Sequence, residues 1–265
     1  MPNILEFLAQ THQSWIHPRG RAATRHLLDL LDAVPHDNLL EIGFGTGQTL
    51  VEAAKRWPGA RLQGVERLPA MCETAGRRLR FCGLSQVALY QVQNGQALPF
   101  PDSFFDAVYA ESVLAILPDD AIAGYFQEIA RVLRPGGSFF NNESLWMSGL
   151  DPSRAAAINR QSLEYFGIQQ ASERLAWRGI WQDMALRAGL AVKETLALAA
   201  VRPVSRWSLE APLCSTLFSA MGWWKRATLP ALRARRRDFL LAQARMNGLG
   251  PSLEAWLFHF VKPAV

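Results

Sequence analysis

Carboxylates follow three apolar runs of this sequence, each at the point where the run gives way to polar residues. Glu66 closes RLQGVE, Glu111 comes after VYA, and Glu143 comes after FFNN. A carboxylate at the end of a strand can accept hydrogen bonds from two neighbouring hydroxyls or act as a general base. His17, in WIHPRG near the N-terminus, is a further candidate base. Glu111, Glu143 and His17 are therefore the candidate catalytic residues.

Three glycines stand at alternate positions in LLEIGFGTGQTL, between a short apolar run and a helical pattern. They are Gly43, Gly45 and Gly47. Glycine is favoured where the backbone takes a positive φ or where a ligand approaches the main chain closely. A strand, a glycine turn and a helix N-terminus expose free N–H groups to a ligand above the strand end. The pattern predicts a site for a nucleotide-like molecule.

The glycine spacing argues against a dinucleotide. The fingerprint G-x-G-x-x-G needs a third glycine where this chain has Gln48. Gly47 comes one position too early, which disfavours NAD as the ligand.

Strands and helices alternate through most of the chain. Apolar runs predict strands at residues 38–42, 61–66, 87–93, 105–110, 138–144, 191–198 and 255–261. Helical spacing predicts helices at 3–13, 20–33, 49–56, 69–82, 120–133 and 177–188, with Pro135-Gly136-Gly137 ending one helix before the next strand. Residues 145–174 show a more irregular pattern. Alternation of this kind predicts an α/β fold of parallel strands with helices on both faces of the sheet.

Three segments resemble those of class I S-adenosylmethionine-dependent methyltransferases. The pattern E-x-G-x-G-x-G, from Glu41 to Gly47, resembles the first motif of that family. The run QNGQALPFPDSFFDAVYAESVLAIL is similar to a segment of the group that includes ubiquinone and menaquinone C-methyltransferases (methyltransferase type 11), and EIARVLRPGGSFF resembles the helix, turn and strand that follow it. The matches cover residues 39–140. Asn94 departs from the family, which usually has an aspartate there.

The resemblance implies a Rossmann-like, seven-stranded, mostly parallel sheet and S-adenosylmethionine as the cofactor. The first motif should line the methionine side, Glu66 should bind the ribose, and Asn94 with Gly95 should bind the adenine. Glu111 should lie near the reacting end. The full set of implied cofactor residues is Glu41, Gly43, Phe44, Gly45, Thr46, Gly47, Glu66, Arg67, Asn94, Gly95 and Glu111.

Large aromatic residues are frequent outside this core pattern. The candidates for binding an acceptor are Trp146, Trp177, Trp181 and Met221, although packing within the protein or against a second subunit is the better explanation for any single tryptophan. They favour an apolar or aromatic small molecule, methylated on O, N or C. A positioned donor and acceptor supply much of the catalysis, and a base is needed only where the acceptor must lose a proton.

An arginine-rich stretch near the C-terminus keeps other functions open. Seven lysines and arginines fall between residues 225 and 245, in a chain of net charge +5. Nucleic acid or an acidic membrane surface could use them, and so could a solvated helix face. RNA or protein methylation is therefore an alternative, although the N/D-P-P-[FYW] signature is missing after the fourth predicted strand. A non-catalytic cofactor-binding subunit and a different reaction of the same cofactor are further alternatives.

Length and composition predict a single domain. Its expected parts are an N-terminal helical cap (1–36), a cofactor-binding core (37–145), a substrate-side segment with the sixth strand (146–201), a helical lid insertion (202–250) and the last strand (251–265). Cys72, Cys82 and Cys214 lack paired spacing and predict reduced thiols rather than a disulfide or a zinc site. We expect a cytoplasmic enzyme that has no membrane span, binds no metal and has no nucleic-acid partner. A homodimer is one possible assembly.

Overall fold

A computed structural model describes residues 3–93, 95–201 and 212–264. Its seven-stranded sheet has the order β3-β2-β1-β4-β5-β7-β6. β7 runs antiparallel to β5 and β6, and the other neighbouring pairs are parallel. The strands are β1 (Asn38–Ile42), β2 (Arg61–Glu66), β3 (Ala88–Gln91), β4 (Phe105–Glu111), β5 (Leu133–Trp146), β6 (Ala191–Ala197) and β7 (Leu253–Val261). The predicted α/β, mostly parallel, Rossmann-like sheet is confirmed.

Helices flank the sheet on both sides. Those of the described residues are α1 (Ile4–Gln10), α2 (Arg21–Leu31), α3 (Gln48–Arg56), α4 (Pro69–Phe81), α5 (Asp119–Val132), α6 (Pro152–Phe166), α7 (Arg178–Arg187), α8 (Leu213–Thr228) and α9 (Pro230–Asn247), with a 3₁₀ turn at Leu198–Ala200. Within the described ranges, no helix combines the length and apolar character needed to cross a bilayer.

The central strands bury both of their faces. Leu39 and Leu40 are neighbours in β1, yet they belong to two different apolar clusters on opposite sides of the sheet. Val108 and Tyr109 divide in the same way in β4. This follows from the two-residue period of a strand. Parallel strands covered on both faces read as largely apolar runs, which is why the bounds of β1 match the sequence prediction.

Two local predictions need correction. The stretch 145–174 contains the helix α6, which Asp151 caps by accepting a hydrogen bond from the Ser153 N–H at 2.7 Å. Pro152 then occupies the first turn, a favoured position for proline. In addition, Pro135-Gly136-Gly137 lies inside β5, where the register against β4 shifts, and α5 has already ended at Val132.

The cysteine prediction is also wrong. Cys82 and Cys214 form a disulfide between the end of α4 and the first turn of α8, with Cα atoms 5.3 Å apart, and Cys72 is free. The two cysteines are 132 residues apart in sequence. Spacing rules recognise local pairs, whereas this pair forms because the fold packs α8 against α4.

A buried arginine reinforces the same contact. The Arg78 side chain on α4 is fully buried and donates to the hydroxyls of Ser14, Ser215 and Ser219 at 2.8–3.1 Å. It also donates to the Gln48 side chain at the start of α3. Burial lowers the pKa of its guanidinium. Arg78 thereby joins α4, the N-terminal segment, α3 and α8.

Candidate functional site

The glycine turn after β1 requires glycine for two physical reasons. Gly43, Gly45 and Gly47 have φ values of +71°, +50° and +77°, which side chains rarely allow. A Cβ on Gly43 would overlap the Val113 side chain, and one on Gly47 would lie 2.9 Å from the Cβ of Ala75. The turn therefore fits closely between α4 and the segment that follows β4.

Glu66 faces this turn from the end of β2. Its Oε2 accepts a hydrogen bond from the Gly45 N–H at 3.0 Å, while Oε1 accepts from the N–H groups of Arg67 and Leu68 at 2.7 and 2.9 Å. These bonds hold the carboxylate at one orientation. Oε1 thereby uses both of its lone pairs, whereas Oε2 keeps one that can accept a hydrogen bond from a hydroxyl group of a ligand.

A first cavity of about 280 Å³ lies above the carboxyl ends of the parallel strands. Its wall includes most of the predicted cofactor and catalytic residues: His17, Glu41, Gly43, Phe44, Gly45, Thr46, Glu66, Arg67, Glu111 and Glu143. Gly47 supports the turn from outside this wall, and Gly95 is an exposed residue that lines neither described cavity. Asn94 lies outside the described residues. The sequence patterns thus converge on one cavity at the position where an α/β sheet binds nucleotides.

Glu111 is the centre of a polar cluster on one wall of the first cavity. It accepts hydrogen bonds from the hydroxyls of Thr24 and Thr49 at 3.1 and 2.9 Å and from the Asn142 amide at 3.1 Å. His17 Nε2 lies 3.4 Å from Glu111 Oε2 and 3.0 Å from Thr24 Oγ1. The cluster fixes a histidine beside a buried carboxylate, an arrangement suited to proton transfer.

Glu41 adds a second buried carboxyl beside that cluster. Tyr109 donates its hydroxyl proton to Glu41 Oε2 at 3.0 Å. Burial raises the pKa of Glu41 well above its usual range, and the negative charge of Glu111 raises it further. A neutral Glu41 would let the site bind an anionic group at the glycine turn without an added repulsion.

Glu143 lines the first cavity, but its carboxylate is committed to the backbone. Oε1 accepts from the N–H groups of Val113 and Leu114 at 3.0 and 2.7 Å, and the residue is 1% exposed. Burial raises its pKa to about 7. Glu143 therefore holds the segment after β4 against β5.

A second cavity of about 870 Å³ opens between the N-terminal segment and α8. Trp15 and His17 line both cavities. From α8, the wall of the second cavity takes Thr216, Ser219, Ala220, Trp223 and Arg226. Its size lies within the range of small-molecule binding sites. Trp15 and His17 therefore stand where the two cavities meet.

The aromatic residues predicted to bind an acceptor lie elsewhere. Trp146 and Trp181 are 1% and 0% exposed within the main apolar cluster. Trp177 packs against that cluster and donates to the Glu173 carbonyl at 2.9 Å. Met221 is 39% exposed on α8. None of the four lines either described cavity, whereas Trp15 lines both and Trp223 lines the second.

Sequence patterns missed the residues that hold Glu111. Thr24 lies on α2, Thr49 on α3 and Asn142 on β5, so only the tertiary fold brings them together. Asn142 precedes Glu143 at the end of a strand, and its position gave the one available signal. The threonines show no pattern that distinguishes them from ordinary helix residues.

The match to known proteins agrees with this geometry. Residues 39–137 match a family model described as a methyltransferase domain. Together with the sheet order, the antiparallel β7 and the glycine turn, this match makes residues 39–137 the core of a class I S-adenosylmethionine-dependent methyltransferase domain. The residues present fit that cofactor, since Gly43 and Gly45 line the first cavity without side chains and Glu66 Oε2 keeps a free lone pair beside them.

Particular relatives follow the same assignment. The chain is similar to YodH, an uncharacterized methyltransferase of Bacillus subtilis, with 29% identity over 177 residues that cover 67% of this chain and 71% of YodH. It is 36% identical over 109 residues to the demethylmenaquinone methyltransferase of Symbiobacterium thermophilum, covering 40% of this chain and 41% of that protein. The solved geranyl diphosphate C-methyltransferase of Streptomyces coelicolor A3(2) has a TM-score of 0.61 at 19% identity, with 92% and 77% of the chains covered, and shows the shared fold.

Proposed function

We propose that this methyltransferase acts on a small molecule with an apolar or aromatic body and transfers the methyl group to O, N or C. The observation that carries the proposal is that His17 and Trp15 line both cavities. One cavity has the features that bind the methyl donor, and the other has the size for an acceptor. The acceptor would thus reach the donor past His17.

Each part of the site has a distinct task in this proposal. The glycine turn and Glu66 bind and orient S-adenosylmethionine, which supplies a methyl group already activated on a sulfonium. Trp15 and Trp223 give the second cavity broad apolar walls, and its hydroxyl groups, from Thr216 and Ser219, can orient a polar substituent. Holding the two reactants in line supplies on the order of 7–11 kcal/mol of the barrier reduction.

His17 is the proposed base for an acceptor that must lose a proton. A proton taken from the acceptor would rest on the His17 imidazole. The Glu111 carboxylate at 3.4 Å would stabilise the resulting positive charge, and Thr24 and Asn142 hold that carboxylate in place. For an acceptor that needs no deprotonation, the same pair would only position the reacting atom.

The relatives support a small-molecule acceptor. The names of two of them specify demethylmenaquinone and geranyl diphosphate as the molecules that those proteins methylate. The basic stretch of residues 225–245 remains the feature that would favour RNA or protein as the acceptor. None of its cations lines the first cavity, and Arg226 is the one that lines the second.

A labelling experiment tests the proposal. The protein is incubated with methyl-labelled S-adenosylmethionine and a panel of apolar and aromatic metabolites, with RNA and protein fractions in parallel. We expect label in a small-molecule product that has gained one methyl mass. Label only in RNA or protein would overturn the proposal in favour of the alternative.

Ala220→Trp adds a test of the acceptor cavity. The larger side chain would occupy part of the second cavity, so methylation should fall while donor binding stays at the wild-type level. Ala234→Trp is the matched control, because Ala234 is exposed on α9 and lines neither described cavity. Unchanged methylation by Ala220→Trp would remove the second cavity from the proposal.

A further inference from the structure

One face of α8 exposes large apolar side chains at helical spacing. Leu213, Leu217, Met221 and Trp224 are 71%, 50%, 39% and 63% exposed. Their spacing of three or four residues places them in one row along the helix. The buried residues of α8, Ser215, Phe218 and Gly222, lie on the opposite side. We call the row the apolar face of α8.

Such a row is not an ordinary surface. Single exposed apolar residues are common in folded proteins, but a contiguous group marks a site of interaction with a partner or a membrane. Neighbouring positions extend the group, since Trp223 is 63% exposed and Leu229, in the turn to α9, is 48% exposed.

Helices α8 and α9 pack together as a helical hairpin, residues 213–247. The charge of this α8–α9 hairpin indicates the kind of partner. Residues 213–247 contain seven lysines and arginines and a single acidic residue, Asp238, so the hairpin carries more than the whole chain's net charge of +5. Of these cations, only Arg237 forms an ion pair within the described ranges, with Asp238 at 3.7 Å. Lys225 and Arg226 contact the neutral side chains of His12 and Gln13 instead.

We propose that the α8–α9 hairpin docks on an anionic lipid membrane surface. Leucine and tryptophan side chains insert at the boundary between headgroups and acyl chains, while arginines bind the lipid phosphates. Both features are needed for stable binding, and the hairpin has both. In this orientation the apolar face of α8 contacts the lipid, and the opposite side of the helix stays packed against the protein.

Other occupants fit these observations less well. A second copy of the chain would bring two strongly positive hairpins together, and juxtaposed like charges oppose association. RNA would use the arginines and could stack on tryptophan, but it gains nothing from Leu213, Leu217 and Met221. An anionic membrane uses the charge and the whole apolar row.

The docking surface adjoins the second cavity. Trp223 lies both on the exposed side of α8 and in the wall of that cavity. An apolar acceptor dissolved in the lipid would therefore meet the cavity at the docked surface. This consequence rests on the proposed function, whereas the docking itself does not.

Vesicle co-sedimentation of the full chain tests the docking. We expect binding to vesicles of phosphatidylcholine mixed with phosphatidylglycerol, and little binding to phosphatidylcholine alone. The double variant Leu217→Ser/Trp224→Ser should bind the mixed vesicles about tenfold or more weakly, because it loses two of the inserted side chains. Arg236→Gln/Arg237→Gln should weaken binding and reduce its dependence on salt.

Leu163→Ser/Leu186→Ser is the matched control, since it removes exposed leucines from α6 and α7 without touching the hairpin. Equal losses in the control and the α8 variant would overturn the proposal, as would wild-type protein that binds neither kind of vesicle. A dimer that the α8 variant converts to a monomer, without vesicle binding, would assign the face to self-association. Binding of S-adenosylmethionine, measured on every variant, reports an intact fold and keeps this test separate from that of methylation.

Discussion

Nε2 of His17 lies 3.4 Å from Oε2 of Glu111, although one residue comes from the N-terminal segment and the other from the end of β4. The contact places a loop from outside the core sheet in the wall of the first cavity, the proposed site of the methyl donor. Thr24 contacts both residues and holds them together. The catalytic competence of the enzyme should therefore depend on the N-terminal segment as well as on the conserved fold of the core.

Replacing His17 tests its role as a base. With the acceptor that the labelling screen identifies, His17→Asn should lower kcat by about 10²–10⁴-fold if the acceptor must lose a proton. Donor affinity, measured by calorimetry, should stay close to that of the wild type. His26→Asn is the control, because His26 lies on α2 and lines neither described cavity. A change in KM alone, with kcat and its pH profile preserved, would contradict the role as a base and would leave His17 only a residue that lines the acceptor site.

Glu143 should make stability depend on pH. Its folded-state pKa of about 7 lies above the usual carboxyl value of 4.5, so between these values the folded chain keeps a proton that the unfolded chain has lost. Stability should therefore fall as pH rises through this window. Glu143→Gln cannot ionise. The difference between its free energy of unfolding and that of the wild type should therefore grow in its favour by up to about 1.4 kcal/mol for each pH unit within this window.

Denaturant titrations across that window measure the effect. Glu73→Gln serves as the control, since the Glu73 side chain is 70% exposed on α4. Parallel pH profiles of the wild type and Glu143→Gln would show that the native site does not retain the proton on Glu143.

The disulfide between Cys82 and Cys214 should hold α8 against α4. A reducing agent should destabilise the wild type by about 2–4 kcal/mol, because the unfolded chain regains the freedom of a long loop. Thermal melts with and without reductant measure this loss. Cys214→Ser should melt at the same temperature under both conditions, whereas Cys72→Ser should respond like the wild type. A reductant response that persists in Cys214→Ser would exclude the disulfide as its source.

The parts predicted from sequence are those that local patterns determine. Buried parallel strands leave apolar runs and the turn leaves alternate glycines, so β1 and the cavity above its carboxyl end were both predicted. Strand ends are also local signals, and they located Glu66 and Glu111. Asn94, predicted to bind adenine, stays a prediction because it lies outside the described residues.

The missed features depend on contacts between distant segments. Composition made Trp146 and Trp181 candidates for the acceptor site, but it could not distinguish an aromatic residue in the core from one in a cavity wall. Cys82 and Cys214 meet only after the insertion packs on α4. Nothing in the local sequence distinguishes Arg78 from the other cations of α4. Its burial among serines of the N-terminal segment and α8 depends on the tertiary fold.

Calorimetric titration of S-adenosylmethionine into the wild type and Glu66→Ala tests the central claim, that the first cavity binds the donor through Glu66. Glu73→Ala is the control for a general loss of charge on an exposed position. Glu66→Ala should weaken binding by about 1.5–3 kcal/mol, as expected for loss of a charged hydrogen-bond acceptor, while Glu73→Ala should bind like the wild type. Equal affinity of Glu66→Ala and the wild type would contradict the assignment of this cavity as the donor site.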